Sequence, residues 1–338
     1  MMVNLLLRRV AIALIITLGL ILSVITLSTY RSSPMVSFVA DVDGQTDIYM
    51  IDLATRHPIN LTDSNFPEWS FAWSNTGALT FTASVNPSQA ADELFTMSRL
   101  GIAQLIDTPE TLYSFGGVWS PDGTTYAYFS SHPRNISDIY TISVPDFESR
   151  NLTQTDTLSE TNPLWSPIGT ELLYRQNGDL YLLDMTTGER QILVNLQSDT
   201  IEDPVWSPDG QWIIFYDRQF VDGRTQLIGY RVARDGTQLT QLSLPTSINS
   251  PVTWSPDSQQ IALITEQQQL TIYDLASDTY TQIDGDTRRF APSWSRDGQW
   301  IAFIQNRHLY VHNLRTQTTT AIVQDGRIKP PLIWYPDS

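Results

Sequence analysis

The chain has no cysteine, a single lysine (Lys329) and only four histidines among its 338 residues. Without Cys there is no disulfide framework, no Cys-ligated zinc, no dithiol redox centre and no lipid attached through a thiol. One Lys leaves little scope for covalent amine chemistry. His57, His132, His308 and His312 make a poor set for zinc, since only His308 and His312 fall close together, four apart on one strand. Positive charge is scarce as well: 20 basic against 36 acidic side chains leave a net −16. That is the wrong balance for a general nucleic-acid binder, which must neutralise phosphate. No Gly-x-Ser-x-Gly elbow, His-Glu-x-x-His helix or phosphate-cradling glycine loop occurs. The sequence therefore assigns no catalytic residue, no cofactor and no metal. Aromatic residues, in contrast, are plentiful: 10 Trp, 14 Tyr and 12 Phe can close a core, which sets aside a disordered acidic tail.

The N-terminus carries one long apolar run. Arg8 and Arg9 precede 21 uncharged residues from Val10 to Tyr30, which as a helix rising about 1.5 Å per residue would cross a bilayer core. A cleaved signal peptide has a shorter apolar region and a small-x-small exit; the segment Ile25–Tyr30 offers no Ala-x-Ala. Residues 1–33 are thus expected to be a cytoplasmic stub and an uncleaved transmembrane helix. With Arg8 and Arg9 before the span and Arg31 alone just after it, the positive-inside rule exports everything that follows. Because residues 1–33 hold three Arg and no acid, residues 34–338 carry 17 basic and 36 acidic side chains, a net −19.

From residue 34 onward the chain repeats itself. Val118–Gly123 and Val205–Gly210 both read Val-Trp-Ser-Pro-Asp-Gly, and weaker copies centre on Trp73, Trp165, Trp254, Trp294 and Trp334. The spacings from Trp73 through Trp119, Trp165, Trp206, Trp254 and Trp294 to Trp334 run between 40 and 48 residues. Each copy is followed by an apolar stretch such as Ile301-Ala302-Phe303, then by a strand such as Asp179–Asp184 or His308–Asn313. A weaker fourth strand ends in phrases such as Asn60-Leu61-Thr62 and Asn151-Leu152-Thr153. Four short strands per repeat describe the blades of a β-propeller. In the Pro-Asp-Gly turns, Pro presets φ, Asp bonds the local backbone and Gly accepts positive φ. A Trp at a fixed place is a large apolar wedge for packing blade on blade. The expected fold is an all-β, seven-bladed propeller over residues 34–338. Phe38 stands nine residues beyond a Trp that its own repeat lacks, and the C-terminal strand around Trp334 supplies the missing first strand. That pairing closes the ring without a free sheet edge.

The Trp-Ser-Pro-Asp-Gly turn, the Ile-Ala-Phe-like strand and the Asp-x-Tyr-x-x-Asp-like strand together resemble the TolB-type, WD-like propeller repeat. The resemblance covers residues 34–338. It implies a propeller exposed to the cell envelope that binds envelope proteins. The sequence departs from TolB in having seven repeats instead of six, no room between Tyr30 and Val36 for a preceding α/β domain, and an anchor that reads as retained.

Turns after the first and third strands of a blade share one side. Hairpins between the second and third strands, and connections to the next blade, share the other. The latter loops are longer and more varied, and loops on a rigid scaffold usually carry function. Counting back five and four residues from each Trp nominates a ligand-binding rim there: Glu68, Trp69, Phe115, Glu160, Glu202 with Asp203, and Arg289 with Phe290, Lys329 lying across it. The Asp41–Asp47 segment looks like the start of a calcium loop but lacks the distant Glu such a loop needs. The expected function is that of an exported, membrane-tethered, non-enzymatic scaffold for an envelope protein or peptide. The alternative is a carbohydrate lyase or hydrolase with its site at the channel mouth.

Overall fold

The computed structural model describes residues 33–84, 93–97, 103–105, 113–114, 117–131, 136–144, 148–155, 157–196, 200–221, 223–244, 252–283 and 289–336. The apolar run at residues 10–30 lies outside them. Among the described residues no helix is long and apolar enough to cross a membrane.

Seven antiparallel sheets follow one another along the chain, and each is a four-stranded propeller blade. The chain divides into two compact units, one up to Gln154 together with the stretch from Arg327, the other Thr155–Gly326. In the first unit, blade 1 holds Met35–Val42, Gln45–Asp52 and Pro58–Asn60, and blade 2 holds Glu68–Trp73, Leu79–Ala83, Glu93–Met97 and Ala103–Leu105. Blade 3 has an interrupted first strand, Tyr113–Ser114 and Val118–Trp119, then Thr125–Ser131, Ser137–Ser143 and Ser149–Asn151. In the second unit, blade 4 runs from Glu160–Trp165 through Glu171–Gln176 and Asp179–Asp184 to Arg190–Val194. Blade 5 runs from Ile201–Trp206 through Trp212–Val221 and Arg224–Ala233 to Thr240–Gln241. Blade 6 comprises Thr253–Trp254, Gln260–Ile264, Leu270–Asp274 and Thr279–Ile283, and blade 7 comprises Arg289–Trp294, Trp300–Gln305, His308–Asn313 and Thr318–Val323.

The expected seam is present. The C-terminal strand Ile328–Trp334 pairs antiparallel with Met35–Val42, so that Trp334 lies opposite Val36 and Leu332 opposite Phe38. It is the first strand of blade 1, and Tyr335 N donates to the Met35 carbonyl just past it.

The repeat phrase makes one local structure. In blade 5 the Ser207 hydroxyl donates to Asp209 and accepts the Trp212 N–H at 2.9 Å, while Asp209 accepts the Gln211 N–H at 3.0 Å. Gly210, at φ 68°, donates to the Ser207 carbonyl at 2.9 Å. The same Ser-to-Asp bond recurs at Ser120–Asp122, Ser255–Asp257 and Ser295–Asp297. The repeated carboxylates are therefore turn formers, each with its Oδ1 committed to its own turn.

Packing follows the repeat too. In six blades an aromatic on the second strand stacks on one from the third, as in Phe215–Tyr230 and Phe303–Tyr310 with centroids 5.6 and 5.7 Å apart. Phe38 does so with Tyr49 at 6.0 Å, confirming its place in the register. In blade 6 that pair is replaced by Leu263 opposite Thr271. Trp206 packs with Leu173, Ile201, Ile213 and Phe215 between blades 4 and 5, and Trp294 fills the same role between blades 6 and 7. The Trp73 indole donates to Ser37 Oγ at 3.0 Å. The indole N–H groups of Trp119, Trp165, Trp206, Trp254 and Trp294 are buried without an acceptor. At those positions the residue acts by volume.

Trp206→Ala is expected to cost about 3–5 kcal/mol, the usual range for emptying an aromatic site. Trp206→Phe is expected to cost less than half of that, because no hydrogen bond is lost; thermal or urea unfolding of both variants checks the ratio. Ending the chain before Ile328 bares the edge of Met35–Val42, and such an edge invites pairing between chains. Loss of cooperative melting and gain of aggregation, followed by calorimetry and light scattering, are the expected outcomes.

Candidate functional site

In blades 2, 4, 5 and 7 the first strand carries a bulge that the repeat pattern does not announce. Its pairing with the second strand slips between Glu68 and Ser70, Thr161 and Leu164, Glu202 and Val205, and Phe290 and Ser293. In blades 4, 5 and 7 the residue three before the Trp adopts a left-handed backbone: Asn162 at φ 54°, Asp203 at 46° and Ala291 at 51°. A bulge re-aims side chains by breaking the strict alternation of a strand. Here it separates positions that simple counting had grouped together.

Residues five before the Trp turn inward. Glu68, Glu160 and Ile201 are fully buried, which removes Glu68 and Glu160 from the expected ligand rim. Glu68 accepts from Ser64 Oγ and, at 3.1 Å, from Thr62 Oγ1. Burial pushes its pKa up to about 9; the Ser64 hydrogen bond opposes this, and neighbouring Asp47 adds to it. Glu160 accepts the Thr155 hydroxyl, 3.0 Å from each carboxylate oxygen. Both are internal polar struts, satisfied by hydroxyls from the connection between blades.

Residues four before the Trp turn outward. Trp69 is 49% exposed and Phe290 39% exposed, unusual for rings of that size. Glu202 occupies the equivalent place in blade 5 and is held by Arg218 of the neighbouring strand. Asp203, beside it, has its pKa raised by burial first and then by the Glu202 charge, with Arg175 opposing. Arg175, Tyr216 and Arg218 are thus part of the setting of this acid pair. They were not expected, because they stand on second strands and reach the bulge only through packing. Phe115 and the Arg289 side chain lie outside the described residues. Lys329 forms an ion pair with Asp41 at 2.9 Å within blade 1. The same Asp41 accepts the Gly44 N–H, so the calcium-like segment is a self-bonded hairpin turn. Among the described residues no group of three His, Asp or Glu side chains gathers as a metal site. His308 accepts the Gly326 N–H and His312 contacts Thr319 Oγ1, each on a separate structural bond.

The Asn-Leu-Thr phrases serve structure as well. Asn60 donates to Asp47 at 2.7 Å and Thr62 Oγ1 accepts the Ile48 N–H. Asn151 donates to Asp138 at 2.6 Å and Thr153 Oγ1 accepts the Ile139 N–H. Both triplets tie the fourth strand to the third, and the amide nitrogens that a glycan would need are committed. On the turn side of the second unit lie grooves of about 570 and 510 Å³. The larger is bordered by the Glu171–Arg234 ion pair, with both contacts at 2.8 Å. The smaller is bordered by Asp257 and Asp297, which are consumed by their own turns. The acids bordering these two grooves are therefore held in bonds of their own.

A family model described as the TolB beta propeller domain matches residues 118–303. In fold the chain is similar to TolB from Acinetobacter baumannii, with a TM-score of 0.57 and 14% identity over 90% of this chain and 67% of that one. It is also similar to an oligogalacturonate lyase from Vibrio parahaemolyticus, with a TM-score of 0.61 and 14% identity over 87% and 88% of the two chains. At such identity the likeness is one of fold. A curated relative, the uncharacterized peptidase YuxL of Bacillus subtilis, is 27% identical over an alignment covering 29% of this chain. The match spans only 20% of that protein's length.

A neutral, buried Glu68 makes the fold pH-dependent. Its carboxyl binds a proton up to about pH 9 when folded but only to about pH 4.5 when unfolded. Its contribution is therefore fully present below pH 4.5 and is lost as pH rises toward 9. Glu68→Gln is expected to stabilise the chain at pH 8 by on the order of 1–3 kcal/mol and to change little near pH 4. Melting curves across that range check both sign and window.

Proposed function

The chain belongs to the TolB β-propeller domain family, and on that basis we propose that it is an exported, membrane-tethered, non-enzymatic scaffold holding an envelope protein or peptide on the bulge side of its blades. The observation that carries this reading is the outward place four residues before the repeat Trp, occupied by Trp69, Glu202 and Phe290. Large rings left open to water on a rigid strand cost little entropy when a partner covers them, as at protein-binding hot spots. Tethering and export are supported by Arg8 and Arg9 ahead of the 21-residue apolar run, with Arg31 alone just after it. The absence of a nucleophile or metal-binding motif from the sequence supports binding over catalysis.

A photo-reactive side chain placed at position 290 in intact cells is expected to capture one defined envelope protein. One placed at Ile168, exposed on the turn side, is expected to capture none. Glu202→Ala should lower the yield at position 290 about tenfold if this strand face is a hot spot. Equal capture from both positions would overturn the reading.

A further inference from the structure

We propose that the junction between blades 4 and 5 is a subsite for a carboxylate, namely the C-terminal carboxylate of a bound peptide. This rests on the reading of the bulge side as the binding side and names what that side takes.

The starting point is an arginine whose buried Nε–H has no hydrogen-bond acceptor. Arg175 stands on the second strand of blade 4, on the same face as Leu173, which packs against Ile201 and Ile213 of blade 5. It is only partly exposed, and its Nε is buried with no acceptor. A guanidinium taken from water without a partner is unfavourable, because its desolvation is not repaid. Two carboxylates attract it, Glu202 and Asp203, yet neither accepts its Nε–H. Glu202 is engaged by Arg218. Asp203 sits on the left-handed residue of the bulge, with a carboxyl that burial and Glu202 favour in the neutral form. Tyr216, opposite Glu202 in the ladder, is fully buried and packs toward blade 6.

The charged and titratable groups facing this point are therefore Arg175 from blade 4, and Glu202, Asp203 and Arg218 from blade 5. The buried donor left unsatisfied among them is the Arg175 Nε–H. A guanidinium edge meets a carboxylate with two parallel hydrogen bonds, a match no neutral acceptor makes as well. A phosphate dianion would be repelled by Glu202 and by the net −19 of residues 34–338; a single carboxylate is repelled less.

The strand geometry selects a peptide. The second and third strands of blade 5 run ten residues each, against five to eight in the other blades. The first strand pairs with the second only as far as Asp217. Gln219, Phe220 and Val221 continue beyond it as a two-stranded ribbon with Arg224–Gln226, with Phe220 77% exposed near the tip. A strand edge offers hydrogen bonds to an extended main chain, whose alternating N–H and C=O groups match its spacing as the hydroxyls of a saccharide do not.

The test is calorimetric titration of the full chain with trialanine, with trialanine amide and with D-glucuronate. Trialanine is expected to bind at least tenfold more tightly than its amide. Arg175→Met should abolish that difference, Arg175→Lys should reduce it, and Arg234→Met, on the opposite side of the same junction, should leave it intact. Asp203→Asn, which keeps the neutral form that burial and Glu202 favour, should leave binding at neutral pH intact. Equal affinity for acid and amide, or loss of binding in Asp203→Asn, would overturn the subsite; binding of glucuronate without trialanine would overturn its assignment to a peptide. Melting curves of each variant separate misfolding from lost recognition. The scaffold reading fails separately, if position 290 captures nothing while trialanine still binds.

Discussion

The second strand of each blade hides consecutive side chains, so that both faces of the sheet demand cover. In blade 5, Ile213 and Phe215 pack toward blade 4 while Ile214 and Tyr216 pack toward blade 6. A lone four-stranded sheet of this kind would expose one apolar face or the other, and burial of apolar area is the main favourable term in folding. Every other regularity in the chain serves that constraint. The repeat Trp fills space between blades, the Ser–Asp turn returns the chain at a fixed length, and the C-terminal strand completes blade 1. Stability in such repeats is carried largely by nearest-neighbour contacts.

Demand for burial also explains why the acids divide into two populations. The turn carboxylates, such as Asp184 and Asp274, accept backbone N–H groups and have their pKa values lowered first by those bonds. Glu68 and Glu160 lie inside, where hydroxyls of Ser and Thr replace water. Neither population is free to act on a ligand. What remains is the bulge of the first strand, where the ladder is broken and side chains are redirected. The candidate binding residues stand where the regular pattern of the blade is interrupted.

Much of the fold was legible because the repeat phrase is a local instruction. Trp206-Ser207-Pro208-Asp209-Gly210 specifies its own turn through bonds within six residues, and Phe38 specifies its register through Tyr49. The candidate site was legible only in part. Counting from Trp found Trp69, Glu202 and Phe290, but it also selected Glu68 and Glu160, since a linear count cannot see a bulge. Arg175 was invisible for a different reason: it is ten residues beyond its own Trp and meets Glu202 and Asp203 only across a blade junction.

The sequence by itself determined the number of blades, the turn chemistry, and the donation of the last strand to the first blade. Each of these rests on periodicity or on contacts between near neighbours in the chain. Tertiary structure decided which side chains face water, which carboxyls have their pKa raised, and that the Arg175 Nε is left without an acceptor beside a Glu202 already engaged by Arg218. Those properties depend on desolvation and on groups brought together from separate blades, and no spacing along the chain encodes them.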